Sequence, residues 1–182
     1  VGAFPDFVHD GDMQTIAAPI DLLGLNYYTS LPISAGADES EDTGVPSAPQ
    51  PPDGYTEMGW PITPDALRDF LGRLDRDNAP ASIVVTENGA SYSDRPDADG
   101  RVADERRIAY LEKHLRAVSE AREAGVRVDG YFVWSLLDNL EWVSGFSQQF
   151  GLVWVDHDTQ QRAVKDSGRW YADVIARRGP AS

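Results

Sequence analysis

The stretch IVVTENG, from Ile83 to Gly89, decides how this chain folds. Its three branched apolar residues predict a strand with both faces buried, and Glu87 stands just beyond them. The Asn-Gly pair is also a strong hairpin signal, but the segment that follows, ASYSDRPDADG, is a loop and not a second alternating strand. Two interpretations stay open: Glu87 is a solvated carboxylate at a strand end, or the strand holds it in place for chemistry.

Strand and helix patterns alternate on both sides of this stretch. Apolar runs predict two further strands, over residues 20–29 and 128–135. Apolar residues at helical spacing predict three helices, one from the Thr63 cap to Asn78, one over residues 104–124 and one over residues 167–177. Because the strands show no polar alternation, this order predicts an α/β fold with a parallel sheet that is buried on both faces.

The remaining segments are less regular. Residues 1–18 carry no regular pattern, and a short hairpin is predicted around Val153–Arg162. Residues 31–59 are rich in Pro, Gly, Ser and acidic residues, and this length predicts a functional or partly disordered loop. With 182 residues, the chain is predicted to form a single domain over residues 1–182.

Composition narrows the classes of partner. Acidic residues outnumber basic ones by 30 to 16, which gives a formal net charge of -14. Such a surface repels phosphate groups, so we expect neither nucleic acid nor an anionic membrane as a partner. The sequence has no cysteine, no signal-peptide pattern and no apolar run of bilayer-spanning length. We therefore expect a cytoplasmic protein.

Polar and aromatic residues stand at the C-terminal ends of all three predicted strands. Asn26 and Tyr28 end the first strand, Glu87 and Asn88 the second, and Trp134 the third. Parallel α/β sheets gather their reactive groups at this edge. The shared placement predicts a site there, although periodicity alone does not decide between the two interpretations of Glu87.

Several long motifs, in register along nearly the whole chain, resemble those of family 1 glycoside hydrolases, the β-glucosidase family. These motifs are LLGLNYYTS, VVTENG, GYFVWSLLDNLEW and FGLVWVD, together with MGWP at residues 58–61. The resemblance implies a TIM (β/α)8 barrel, of which this α/β chain holds the C-terminal portion, the last three βα units.

The resemblance also implies the chemistry of a retaining β-glucosidase. Glu87 matches the catalytic nucleophile, which attacks the anomeric carbon and forms a glycosyl-enzyme ester. Tyr28 matches the tyrosine that donates a hydrogen bond to the nucleophile, and Asn26 matches a polar neighbour in the same pocket. Since the transition state resembles an oxocarbenium ion, a fixed anion beneath it is stabilising.

Substrate recognition is implied for five further residues. Trp134 matches the aromatic floor under the sugar ring, Glu141 and Trp142 the pair that binds outer hydroxyls, Phe150 a wall near the exocyclic group, and Trp60 an aromatic of the aglycone subsite. The alternative for each tryptophan is core packing, which we expect instead for Trp154 and Trp170.

The same residues narrow the substrate to β-glucosides or cello-oligosaccharides. Family members that cleave 6-phospho-sugars tend to lack the glutamate that Glu141 matches and to carry a serine and a cation near the exocyclic group, where Gln148 and Gln149 stand here. A phosphate beside Glu141 would be repelled. We therefore expect a neutral glycone, glucose first, with galactose or fucose tolerated.

One part of this mechanism is missing from the sequence. The family's acid/base glutamate lies upstream in an Asn-Glu-Pro motif, and no such motif occurs here. We therefore expect the isolated chain to be inactive and to need an N-terminal barrel part as partner, or to self-associate through its open sheet edges. The alternative is a non-catalytic carbohydrate-binding or structural half-barrel.

No cofactor and no metal are expected. The three histidines, His9, His114 and His157, are scattered and have no ligand spacing. The acidic run over residues 38–42 has no EF-hand spacing and is typical of a solvated loop.

Overall fold

The computed structural model describes residues 7–31 and 54–178. In chain order the elements are α1 (Asp12–Ile16), β1 (Leu23–Asn26), α2 (Pro64–Asn78), β2 (Ile83–Asn88), α3 (Glu105–Glu123), β3 (Val128–Val133), β4 (Val153–Val155), β5 (Arg162–Val164) and α4 (Asp166–Arg177). The short helix α1 lies in a region that the sequence pattern left irregular. Most of the predicted Pro-rich loop lies outside the described residues, and its end forms a turn in which Tyr55 pairs with Pro61.

Strands β1, β2 and β3 form a parallel sheet with β2 in the centre. Leu25 lies opposite Val85, and Val85 lies opposite Tyr131. Both registers shift towards the C-terminal ends of the strands, where Asn26 faces Glu87. Since parallel neighbours need a crossover, α2 and α3 supply the two connections. Three consecutive βα units therefore lie side by side, in the order that the sequence predicts.

The main apolar core lies between this sheet and helices α2 and α3. Its buried members are Tyr27, Leu67, Leu71, Ile83, Val85, Val118, Ala121, Val126 and Val128. Helix α2 begins after Thr63, as predicted, but the Thr63 hydroxyl does not cap the helix. It accepts a hydrogen bond from the Ser30 backbone at 3.0 Å and lies 2.8 Å from the Tyr27 hydroxyl. Thr63 thereby ties the start of α2 to the segment after β1.

The strands are not equally buried, which corrects the prediction that both faces of every strand are covered. The central strand β2 is buried from Ile83 to Val85, whereas β1 alternates between half-buried and exposed residues, and β3 is half-buried or exposed after the buried Val128. Phe132 on β3 is 61% exposed. The physical reason is position, because β1 and β3 each have a neighbouring strand on one side only within the described residues.

A buried ion pair fixes the loop after β2 against α3. Arg107 on α3 is 1% exposed, and its Nε donates to Asp104 at 2.9 Å. The two other guanidinium nitrogens donate to the backbone carbonyls of Ala90 and Tyr92. Asp104 in turn accepts from the backbone and hydroxyl of Ser167 at the start of α4. One guanidinium therefore anchors the chain that follows the TENG motif.

Strands β4 and β5 form the predicted hairpin, with Val153 opposite Val164, so the second strand extends two residues beyond the predicted limit. Within residues 7–31 and 54–178, no helix has the length and apolar character needed to cross a bilayer.

Candidate active site

A cavity of about 530 Å³ opens at the C-terminal edge of the parallel sheet. Its lining residues are Tyr28, Trp60, Glu87, Trp134, Asn139, Leu140, Glu141, Trp142 and Phe150. Every predicted site residue except Asn26 is in this set. Side chains that lie up to 122 positions apart in the sequence, from Tyr28 to Phe150, therefore meet in one space. The volume is within the usual range for small-molecule sites.

Glu87 and Tyr28 form the polar centre of this cavity. The Tyr28 hydroxyl donates a hydrogen bond of 2.7 Å to Oε2 of Glu87. Burial raises the pKa of the Tyr28 phenol well above its usual value, and the hydrogen bond to the carboxylate raises it further. Tyr28 therefore keeps its proton and acts as a permanent donor to Glu87.

Aromatic packing fixes the Tyr28 ring. It packs edge-to-face with Trp60, with ring centroids 5.6 Å apart, and with Phe150, with centroids 6.1 Å apart. Trp60 and Phe150 also pack against each other, with ring centroids 6.3 Å apart. Edge-to-face arrangements of this kind are favourable beyond the area they bury. The three rings therefore form one wall of the cavity beside the carboxylate.

The TENG motif positions Glu87 through its backbone. The Glu87 carbonyl accepts from the Tyr27 backbone at 2.9 Å, and the Asn88 carbonyl accepts from Trp134 at 2.9 Å. A Cβ atom on Gly89 would overlap the carbonyl oxygen of Trp134, so only glycine allows this approach. The Asn-Gly pair, which is also a hairpin signal, here allows a close backbone contact between the ends of β2 and β3.

Glu141 and Trp142 reach the cavity from the long segment between β3 and β4. A tight turn holds them, because the Glu141 backbone donates to the Gly145 carbonyl at 2.7 Å and a 3₁₀ turn covers Trp142–Ser144. Glu141 is half-buried, whereas Trp142 is 85% exposed. This side of the cavity is therefore open among the described residues.

The Phe150 side of the cavity is held by a second buried ion pair. Lys165 donates to Asp138 at 2.9 Å, and the same carboxylate oxygen accepts from the Gly151 backbone at 2.7 Å. Both side chains are almost fully buried. Burial lowers the pKa of Lys165 to about 8, and Asp138 opposes that shift. The pair anchors the backbone next to Phe150.

Asn26, Asn139 and Leu140 differ from the sequence prediction. Asn26 does not line the cavity, since its side-chain Oδ1 accepts from the Thr86 hydroxyl at 2.6 Å and the residue is exposed beside the site. Its predicted role in substrate binding stays a prediction. Asn139 and Leu140 line the cavity and were missed. The available signal was their position directly before Glu141 in DNLEW.

The site offers carboxylates and aromatic rings but no metal cage. Within the described ranges, no group of three or more His, Asp or Glu side chains could hold a metal ion. What the arrangement offers chemically is an anionic oxygen beside aromatic faces, with hydrogen-bonding groups around it.

The sequence of the whole chain matches a known family. The family model described as Glycosyl hydrolase family 1 covers residues 2–180. The chain belongs to this family. Beta-glucosidase A of Thermotoga maritima is 42% identical over 92% of this chain and 37% of its own length. The bifunctional beta-D-glucosidase/beta-D-fucosidase of Bifidobacterium breve is 46% identical over 93% of this chain and 40% of its own length.

The fold agrees with that membership. The solved structure of the family 1 β-glucosidase from Thermotoga maritima superposes with a TM-score of 0.86 and 40% sequence identity, covering 94% of this chain and 38% of that chain. This family 1 chain is therefore a portion of a TIM barrel, as the sequence predicts, and it spans about two fifths of the relatives it matches.

Proposed function

We propose that this chain is the nucleophile-bearing portion of a retaining β-glycosidase that hydrolyses terminal β-D-glucosyl residues. The observation that carries the proposal is the 2.7 Å hydrogen bond from Tyr28 to Glu87 inside a cavity of sugar size. A carboxylate that merely ended a strand would have no need of a half-buried phenol as donor. The family's β-glucosidases support the same reaction class.

In the first step, a Glu87 oxygen bonds to the anomeric carbon while the bond to the leaving oxygen breaks. A proton from a general acid goes to that oxygen, and a glycosyl ester remains on Glu87. Water then cleaves the ester and regenerates the carboxylate. Tyr28 holds one carboxylate oxygen throughout, so the other stays free to attack. The general acid belongs to the missing N-terminal part.

Substrate recognition follows from the other cavity residues. Trp134 offers an apolar face to the sugar ring, and Glu141 can accept hydrogen bonds from two adjacent hydroxyls. Trp142 adds an indole N–H beside Glu141. Phe150 lies near the exocyclic carbon, and Trp60 contacts the aglycone. Every group is apolar, neutral or anionic, which favours a neutral glycone.

The partner is the rest of the barrel. At the β3 edge, Phe132, Leu136 and Ile175 are largely exposed and line an apolar cavity of about 440 Å³. At the β1 edge, Ile16 and Ile20 are exposed beside a second cavity. Monomeric proteins seldom leave such surfaces uncovered. An N-terminal barrel part would cover both edges, and self-association is the alternative way to cover them.

We expect an activated 2-deoxy-2-fluoroglucoside to label Glu87. The fluorine slows both steps by destabilising the oxocarbenium-like transition state, and a good leaving group restores only the first, so the ester accumulates. The measurement is mass spectrometry of peptides from three samples: the chain alone, the chain mixed with the N-terminal part of Thermotoga maritima beta-glucosidase A, and a fusion of the two. We call this fusion the barrel chimera.

Label on the Glu87 peptide in the mixture or the chimera, with little or none in the chain alone, is the expected result. Glu87→Gln serves as the control and takes up no label at that peptide. Label on another carboxylate would contradict the proposal. Sugar binding by the chain with no label in any sample would favour the non-catalytic carbohydrate-binding module instead.

A 6-phosphate on the sugar should weaken binding to the barrel chimera by roughly 50-fold, because about two negative charges would lie near Glu141. The measurement is calorimetric titration of a β-glucoside and its 6-phosphate. Glu141→Gln is the matched variant, since it keeps the side-chain shape and removes the repulsion. It should therefore bring the affinities for the β-glucoside and its 6-phosphate closer together. Equal affinities for the two sugars in the unsubstituted chimera would contradict a neutral-glycone site.

A further inference from the structure

A buried hydrogen-bond network lies directly behind Tyr28 and Glu87. Its centre is Asn88, which is 0% exposed and follows the proposed nucleophile. The Asn88 amide nitrogen donates to the Tyr27 carbonyl at 2.7 Å and to the Tyr110 hydroxyl at 3.1 Å. The Tyr110 hydroxyl donates to the Tyr28 carbonyl at 3.0 Å, and the Tyr131 hydroxyl donates to Oδ1 of Asn88.

The chemistry of these groups allows only one direction for the network. The Tyr27 and Tyr28 carbonyls can only accept, so Asn88 Nδ2 and the Tyr110 hydroxyl must be their donors. The Tyr110 proton is then committed, and its oxygen can only accept from Asn88. The Asn88 oxygen is left facing Tyr131, which must donate. Both amide protons of Asn88 and its oxygen therefore have partners.

The network joins β2, β3 and α3 to the segment after β1, at the edge that carries the site. Asn88 ends β2, Tyr131 lies on β3, and Tyr110 lies on α3. The two carbonyls that they bind belong to the residues directly after β1. His114 holds the Tyr110 ring by stacking at 4.0 Å, and its Nδ1 donates to the Tyr110 carbonyl at 2.8 Å. Burial lowers the pKa of His114 to about 4, so this support is uncharged at neutral pH.

We propose that Tyr110 and Asn88 are positioning residues that set the hydroxyl of Tyr28 on Glu87. They hold the two backbone carbonyls that lie on either side of the Tyr28 Cα. The aromatic wall fixes the Tyr28 ring, and the two held carbonyls fix the backbone from which that ring extends. This inference rests on the proposed function, because positioning has meaning only for a reacting carboxylate.

The chain contains a second tyrosine that serves as a control. The Tyr171 hydroxyl donates to a backbone carbonyl at 3.0 Å, the same bond length as in the Tyr110 contact, but its acceptor is Tyr131. Both Tyr110→Phe and Tyr171→Phe remove a hydroxyl that donates to a carbonyl, although Tyr110 is the more deeply buried and its hydroxyl also accepts from Asn88. Only Tyr110→Phe releases the Tyr28 backbone. A merely structural role predicts a loss of stability in either variant with no movement of the Tyr28 resonance.

The test uses two readouts. In the barrel chimera, the rate of Glu87 labelling by the fluoroglucoside at saturation should fall on the order of tenfold in Tyr110→Phe, the scale of a small misplacement, with the half-saturating concentration unchanged. In the 182-residue chain, the ¹³Cζ resonance of Tyr28 should move towards that of a solvent-exposed tyrosine. Tyr171→Phe should change neither, and Tyr28→Phe gives the upper limit of the kinetic loss.

Equal effects of Tyr110→Phe and Tyr171→Phe, or an unmoved Tyr28 resonance in Tyr110→Phe, would overturn the inference. If Tyr110→Phe does not fold, Tyr131→Phe decides, because it removes the donor that orients the Asn88 amide and should move the Tyr28 resonance in the same direction. If no protein is labelled, the proposed function fails, and the resonance still reports whether Tyr110 sets the Tyr28 contact. The two failures are therefore distinguishable.

Discussion

Glu87→Gly in the barrel chimera is expected to lower kcat on an aryl β-glucoside by about 10⁵-fold, the scale on which loss of a catalytic nucleophile reduces turnover. The reason is that Glu141, the other carboxylate that lines the described cavity, makes no hydrogen bond to Tyr28 and is assigned to the sugar hydroxyls, so it does not replace Glu87 at the anomeric carbon. The measurement is release of the aryl group under saturating substrate, with circular dichroism to establish that the chimera stays folded.

Rescue by azide gives a second test of the assignment of Glu87 as the nucleophile. Removal of the Glu87 side chain leaves room for a small anion on the same face of the sugar, so azide should restore aryl release and give a glycosyl azide of inverted configuration. Glu87→Gln is the matched variant, since it fills the space and should gain nothing from azide. A Glu87→Gly chimera that kept more than about a hundredth of its activity without azide would contradict the assignment.

Arg107→Ala should have the largest effect on stability, a loss of about 3–5 kcal/mol in the free energy of unfolding. The substitution leaves the Asp104 carboxylate buried without its cation and removes the donors of two backbone carbonyls. Against a typical total of about 5–15 kcal/mol, this is a large share. Urea unfolding of the 182-residue chain, followed by tryptophan fluorescence, gives the measurement.

Arg73→Ala is the comparison for this prediction. Arg73 pairs with Asp77 at 3.1 Å on the surface of α2, and both side chains are mostly exposed. Such helical pairs contribute about 0.3–0.5 kcal/mol, because water and salt screen them. A loss of less than about 1 kcal/mol in Arg107→Ala would mean that the loop after β2 does not depend on this guanidinium.

Local patterns predicted much of the fold. Branched apolar runs identified all three strands of the parallel sheet, and helical spacing identified α2, α3 and α4 to within two residues. The helix α1 was missed because a single turn shows no periodicity. Exposure of β1 and β3 was also missed, since apolar composition alone does not reveal how many neighbouring strands are present.

The site was predicted through resemblance and not through periodicity. Once the motifs were matched, seven of the eight named residues lay around one cavity, and their proposed roles stay predictions. The network behind Tyr28 could not be predicted, because its bonds join positions 61 and 82 residues apart. The TENG motif contains Asn88, but only the folded structure shows which backbone carbonyl the Asn88 side-chain amide binds.

The contact between Gly89 and Trp134 has a consequence for protein engineering. With no side chain between them, the backbone beside the proposed nucleophile packs directly against the backbone of the proposed sugar floor. Mutagenesis at Trp134 that aims to widen sugar tolerance would therefore also disturb the attacking oxygen. The segment from Leu140 to Val143 rests on its own turn, so libraries placed there can reshape selectivity while the reactive geometry is preserved.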